Sequence, residues 1–76
     1  MSYVIKTKPG CDYCVKAKEL LKTTGEAVEE QVYDTPLAIG AFRNAGFKTF
    51  PQVFRNGKLI GGYTELAAYL ADAEDF

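Results

Sequence analysis

The chain has 76 residues, 47% apolar and 13% aromatic, with nine basic against ten acidic side chains, a formal net charge of −1 and no histidine. That length holds one domain, near the lower limit at which a single core sustains a fold without several disulfides or a metal. The near-neutral charge offers no general attraction for nucleic acid or an anionic membrane, so neither is expected as a partner and binding must come from a local site. No apolar run approaches membrane-spanning length and no basic-then-apolar leader opens the sequence, so a soluble, unsecreted protein of the cytosol is expected.

Tyr3-Val4-Ile5 is a short β-rich run ending at Lys8-Pro9-Gly10, residues that break a strand and turn the chain. Cys11-Asp12-Tyr13-Cys14 then places the only two cysteines at i and i+3, where a helical pattern begins. From Tyr13 the pattern puts Val15, Leu20 and Leu21 among lysines and Glu19, with Ala17 between, and stops at Gly25, a good residue just past a helix end. The outer face of this helix is basic. Ala27 to Tyr33 reads as a second strand, with Val28 and Val32 as core candidates. Asp34-Thr35-Pro36 supplies a cap followed by proline at the first helical position, and the second helix is expected to run to about Asn44, closed by Gly46. Phe50 to Arg55, then Asn56-Gly57, then Lys58-Leu59-Ile60, is a strong hairpin signal with a type I′ turn. Gly61-Gly62-Tyr63 reads as a flexible connector. Thr64 is expected to cap a last helix carrying Leu66, Ala67, Tyr69 and Leu70 at helical spacing, with Asp72-Ala73-Glu74-Asp75-Phe76 fraying. The order βαβαββα, with two βαβ-type steps and a closing hairpin, predicts an α/β fold of one domain over residues 1–76: a four-stranded mixed sheet flanked by three helices lying on both faces.

The cysteine pair carries the chemistry. A helix N-terminus offers unpaired N–H groups and the positive end of the macrodipole, both of which favour a thiolate at Cys11. Cys14, one turn inside, sees less solvent while its sulfur can approach that of Cys11, so Cys11 is expected to attack and Cys14 to resolve through a reversible disulfide. A zinc site normally needs four Cys or His ligands, and only two are present. A structural disulfide across so short a loop removes little unfolded-state entropy. Two buried apolar thiols fit poorly beside Gly10, Asp12 and Tyr13. These alternatives stay open at this level, and redox chemistry is the reading that best suits the spacing.

Three separated segments, Lys8-Pro9-Gly10-Cys11-Asp12-Tyr13-Cys14, Thr49-Phe50-Pro51-Gln52-Val53-Phe54 and Gly61-Gly62-Tyr63-Thr64-Glu65-Leu66, together resemble a glutaredoxin of the small bacterial or phage dithiol type. The likeness runs from about residue 3 to residue 71. It implies the thioredoxin fold in its smallest form and an enzyme that reduces protein disulfides and glutathione mixed disulfides, with glutathione as its reductant and no metal. It also implies a cis Phe50–Pro51 peptide facing the disulfide, with Thr49 and Phe50 presenting backbone to the bound peptide as a short strand would. Gly62 lets the backbone approach a ligand, and Thr64 with Glu65 opens a helix whose N–H groups would receive the γ-glutamyl carboxylate. Tyr13 would wall the groove, Lys8 would favour the Cys11 thiolate and draw a glutathione carboxylate, and Lys48 would meet the glycyl carboxylate.

A monomer is expected, acting on glutathione and on disulfide-bonded or glutathionylated proteins, ribonucleotide reductase among the candidates. Two alternative readings remain: a thioredoxin-like donor to ribonucleotide reductase reduced by thioredoxin reductase, suggested by Asn44-Ala45-Gly46-Phe47-Lys48, and an iron–sulfur cluster-binding dimer. One departure stands out, since such proteins often carry proline after the first cysteine and this chain has Asp12. A carboxylate there disfavours a neighbouring thiolate, so Asp12→Pro is expected to lower the Cys11 pKa and make the protein a stronger oxidant, which titration of the thiol checks.

Overall fold

The computed structural model describes residues 2–74. Its elements are β1 (Ser2–Thr7), α1 (Asp12–Lys22), β2 (Ala27–Val32), α2 (Pro36–Asn44), β3 (Gln52–Arg55), β4 (Lys58–Gly61) and α3 (Tyr63–Glu74). They form the four-stranded mixed sheet and three helices that the sequence predicts, in the strand order β2-β1-β3-β4. β1 pairs in parallel with β2, Tyr3 opposite Val28 and Thr7 opposite Val32, and antiparallel with β3, Ile5 opposite Val53. Only the first step is therefore a parallel βαβ crossover. The chain leaving β2 passes through α2 and returns on the far side of β1 with reversed direction, so the second expected step ends in an antiparallel pair.

Alternation in β1 decides which face holds the core, because successive side chains of a strand point to opposite faces. Tyr3, Ile5 and Thr7 are buried, and Tyr3 and Ile5 pack with Ala17 and Leu21 of α1, Val53 of β3 and Leu66 of α3. Cys14, Ala17 and Leu21 are the buried residues of α1, a stripe at helical spacing, whereas Val15 lies outside it, 50% exposed. An aromatic cluster centred on buried Phe42 of α2 joins Tyr33, Phe47 and Phe50, and Phe47 meets Phe54 of β3 edge-on.

Several expectations change for identifiable reasons. Val28 and Val32 are not core residues: they are 38% and 52% exposed, because β2 is an edge strand that the helices leave largely uncovered. Tyr69 of α3 is likewise exposed, while Leu66 is buried and Leu70 packs against the core cluster. α3 starts at Tyr63, so Thr64 is not its cap. Instead Glu65, two residues into the helix, accepts the Gly62 N–H on Oε1 at 2.8 Å, the reach-back half of a capping box. The helix continues through Asp72 to Glu74, where fraying was expected; Asp75 and Phe76 lie outside the described residues. The α2 cap is as expected, with Thr35 Oγ1 accepting the Ala38 N–H at 3.1 Å and Pro36 in the first turn. The hairpin turn is type I′ in sign, with φ of 50° at Asn56 and 81° at Gly57.

Two polar clusters tie the layers together. Arg55 of β3 donates to Glu26 through Nη1 at 2.8 Å and Nη2 at 3.2 Å, and also to the Tyr3 hydroxyl. Glu30 Oε2 accepts the Thr7 hydroxyl at 2.7 Å and pairs with Lys18 Nζ at 3.0 Å, linking β1, β2 and α1. The Thr7 hydrogen bond, followed by that from Lys18, holds the Glu30 carboxyl below the usual glutamate range.

Leu66→Ala is expected to cost roughly 2–5 kcal/mol in urea unfolding, whereas Val28→Thr at the sheet edge should stay within about 0.5 kcal/mol of native. A carboxyl whose folded-state pKa is depressed contributes stability that is complete above its unfolded pKa and is lost as pH falls through the folded value. Glu30→Gln is accordingly expected to flatten the acid limb of stability against pH, read from unfolding curves collected below the usual glutamate range.

Candidate functional site

β1 ends at Thr7, and Lys8-Pro9-Gly10 turns the chain with Gly10 at φ +72°, a conformation that glycine adopts without strain. Cys11 follows as the N-cap of α1, with extended backbone (φ −103°, ψ 105°), and the Val15 N–H donates to its carbonyl at 3.3 Å. Its Sγ accepts the Cys14 N–H at 3.2 Å, the place a serine or aspartate oxygen takes in an ordinary cap. Cys11 and Cys14 form a disulfide with Cα atoms 5.2 Å apart. Cys11 is half-buried while Cys14 is only 2% exposed, so an incoming sulfur reaches Cys11. The N-terminal amides of α1 stabilise the thiolate that attack or departure at Cys11 requires.

Two grooves lie at this end of the sheet, one on the β2 side that Cys11 and Cys14 themselves line and one on the β3 side that is reached through Tyr13. On the β3 side, a groove of about 180 Å³ is lined by Tyr13, Thr49, Phe50, Pro51, Gly62, Tyr63, Thr64 and Glu65. Seven of the residues expected at the site thus converge there from α1, the loop before β3, and the start of α3. The Phe50–Pro51 peptide is cis, as the resemblance implied. Pro51 is buried, and Gln52 Nε2 holds the preceding loop by donating to the Thr49 carbonyl at 3.0 Å and hydroxyl at 3.3 Å. Glu65 serves α3 itself through the Gly62 N–H. The first amides inside the helix carry its positive end toward the groove.

Lys8 and Lys48 are the two expected residues that do not line this groove. Lys8 lines the groove on the β2 side, with Nζ 5.8 Å from the Phe50 ring centroid, and Lys48 is exposed beyond the rim. Tyr63 was not singled out from the sequence, yet its ring lies 5.8 Å from that of Tyr13 and the two aromatics form one wall. Its position directly after Gly61-Gly62, at the first turn of a helix, was the available signal. Lys16 Nζ sits 5.2 Å from the Tyr13 ring centroid and backs the same wall. Among the described residues, no group of three or more His, Cys, Asp or Glu side chains is gathered to hold a metal ion.

The family model for glutaredoxin matches residues 3–60. The chain is 30% identical over 84 residues to glutaredoxin 1 of Escherichia coli (strain K12), an alignment covering 99% of each protein. It is 45% identical over 71 residues to the hybrid peroxiredoxin hyPrx5 of Haemophilus influenzae, which matches 92% of this chain but only 30% of that longer protein. Among solved structures, glutaredoxin 1 from Francisella tularensis, complexed with cacodylate, superposes with a TM-score of 0.85 at 30% identity, covering 99% of this chain and 98% of that one. A buckwheat glutaredoxin–glutathione complex superposes with a TM-score of 0.79 at 30% identity, covering 95% and 70%.

Gly61, the last residue of β4 and next to Gly62 of the groove, has φ +128°, and a Cβ there would lie 2.8 Å from Glu65 Cβ and Cγ. Gly61→Ala is expected to displace Glu65 from the Gly62 N–H and to destabilise the fold by roughly 1–3 kcal/mol. Gly40, inside α2 with nothing within 4 Å of a built Cβ, is the control: alanine there should stabilise by about 0.5–1 kcal/mol in the same unfolding measurement.

Proposed function

The chain belongs to the glutaredoxin family and is a thiol–disulfide oxidoreductase built on the Cys11–Cys14 pair, and from that premise we propose that glutathione is its reductant and that glutathionylated and disulfide-bonded proteins are its substrates. One observation carries the reading. The Cys11–Cys14 pair is joined through Tyr13, which lies between the two cysteines in the chain, to a groove whose parts suit a γ-glutamyl peptide: a backbone segment at Thr49–Phe50, an aromatic wall of Tyr13 and Tyr63, and the amide-rich start of α3. The likeness to a glutaredoxin whose solved structure is a glutathione complex supports it.

In the proposed cycle, the Cys11 thiolate attacks the glutathione sulfur of a glutathionylated protein. The Cys11–glutathione bond forms, the protein–glutathione bond breaks, and the protein leaves as a thiolate that takes a proton. A second glutathione attacks the glutathione sulfur of the mixed disulfide, releasing glutathione disulfide and the Cys11 thiolate. Lys8, which lines the Cys11 side of the pair, and the exposed Lys48 attract the carboxylates of incoming glutathione. With a protein disulfide, Cys11 forms a mixed disulfide with the substrate and the buried Cys14 resolves it, leaving Cys11–Cys14 oxidised until two glutathione molecules reduce it.

Turnover of a glutathionylated peptide, coupled to glutathione reductase, is expected for the native protein and for Cys14→Ser but not for Cys11→Ser. Reduction of a protein disulfide should need both cysteines, and a peroxiredoxin belongs among the substrates assayed because of the likeness to the hybrid peroxiredoxin. If glutathione supports neither reaction while thioredoxin reductase reduces the native disulfide, the thioredoxin-like donor reading replaces this one.

A further inference from the structure

The second groove, about 310 Å³ on the β2 side of the disulfide, is lined by both cysteines and Lys8, and beyond these by residues that the glutathione reading does not use. Its wall brings Cys14 together with Thr7, Lys18 and Glu30. Cys14 and Lys18 are four residues apart on α1 and therefore neighbours on one helix face. Glu30 comes from β2, opposite Ile5, on the sheet face that Thr7 also occupies. Thr7 is 3% exposed, and its hydroxyl and the Lys18 ammonium meet on the same oxygen, Glu30 Oε2.

The charges in this cluster act on the thiol in opposite senses. A carboxylate beside Cys14 opposes its ionisation and an ammonium favours it, and in a half-buried setting both are felt over a few ångströms. Glu30 engages Lys18, so each blunts the other at Cys14. Lys8 and Asp12 line the same groove with opposite charges, while α3 presents Tyr63 and Glu65 to the other groove. We propose that Thr7, Glu30 and Lys18 form a positioning cluster that holds the ammonium on Glu30 and so sets the pH at which Cys14 gives up its proton to resolve a mixed disulfide on Cys11. Lys18 and Glu30 act on the thiol through opposing fields, each holding the other in place, and Thr7 orients Glu30.

The inference rests on Cys14 being the resolving thiol. In that step Cys14 loses its proton to solvent, the Cys14–Cys11 sulfur bond forms, and the bond from Cys11 to the substrate sulfur breaks. The substrate leaves as a thiolate and takes up a proton. The dithiol is oxidised by two electrons as the substrate disulfide is reduced by two. Holding Cys14 as a thiol until Cys11 is occupied keeps negative charge in the reduced pair on the more exposed sulfur, where an incoming disulfide can meet it.

The test uses a symmetric aromatic disulfide whose released thiolate absorbs light, mixed with reduced protein in a single turnover across a pH series. The first release reports attack by Cys11 and the second reports resolution by Cys14, and Cys14→Ser should lose only the second. Glu30→Gln, which keeps an acceptor for Thr7 but frees Lys18, is expected to move the pH midpoint of the second release down by on the order of half to one unit, roughly three- to tenfold in rate below the midpoint. Lys18→Met should move it up by a similar amount, and the double variant should return it close to native. Midpoints that fail to move apart, or a double variant that does not restore the native value, overturn the proposal and leave the pair as a brace between α1 and β2, whose loss would show in thermal unfolding of both single variants. Absence of the first release from native protein would instead overturn the reading of Cys11 as nucleophile.

Discussion

The organising constraint is the handover from the central strand to the first helix. β1 is paired on both sides and buries alternate side chains, so its end point is fixed in space, and the turn that follows delivers Cys11 to the N-cap of α1. A cap must present an acceptor to the first free amides, and here the acceptor is sulfur. The same interaction satisfies the backbone, stabilises negative charge on sulfur and leaves Cys11 reachable. Cys14, three residues on, falls on the stripe of α1 that packs toward the sheet, which is why it is buried. The inequality of the two cysteines follows from helix geometry, without any further device.

Sheet order then shapes the surroundings. With β2 on one side of β1 and β3 on the other, the disulfide end of α1 has two different flanks. The β3 flank is made of backbone and aromatic rings, from the loop before β3, from Tyr13 and from the start of α3. The β2 flank is made of charged side chains that meet around Glu30. A groove of the first kind suits an extended peptide recognised mainly through its backbone and carboxylates, as proposed for glutathione. A cluster of the second kind suits adjustment of charge at a buried sulfur. One strand permutation thus separates binding from control of the resolving thiol.

Local rules account for much of what the sequence shows. Thr35-Pro36 starts a helix and Asn56-Gly57 turns a hairpin because these residues have strong conformational preferences that neighbours seldom override, and both features stand as expected. The Cys-x-x-Cys spacing at a strand-to-helix junction likewise reveals the redox pair. Val28 and Val32 show where such rules stop: β-prone apolar residues mark a strand but carry no information on whether a helix covers it, and β2 is an edge. The start of α3 shows it again. Thr64 has the chemistry of a cap, but with Glu65 reaching back to Gly62 the helix begins two residues earlier, and Gly61, with its positive φ, leaves the space that Glu65 needs.

The amino-acid sequence by itself determined the order of elements, the turn types, the thiol pair and, through three separated segments, the family, because each of these depends on a few residues adjacent along the chain. Only the tertiary structure decided which side chains meet across elements. It placed Tyr63 against Tyr13, set Lys8 with the cysteines on the β2-side groove and Lys48 on the exposed surface, and joined Thr7, Lys18 and Glu30 on the groove that Cys14 lines. Those meetings depend on strand register and sheet order, which arise from the packing of all elements at once and leave no mark in any single segment.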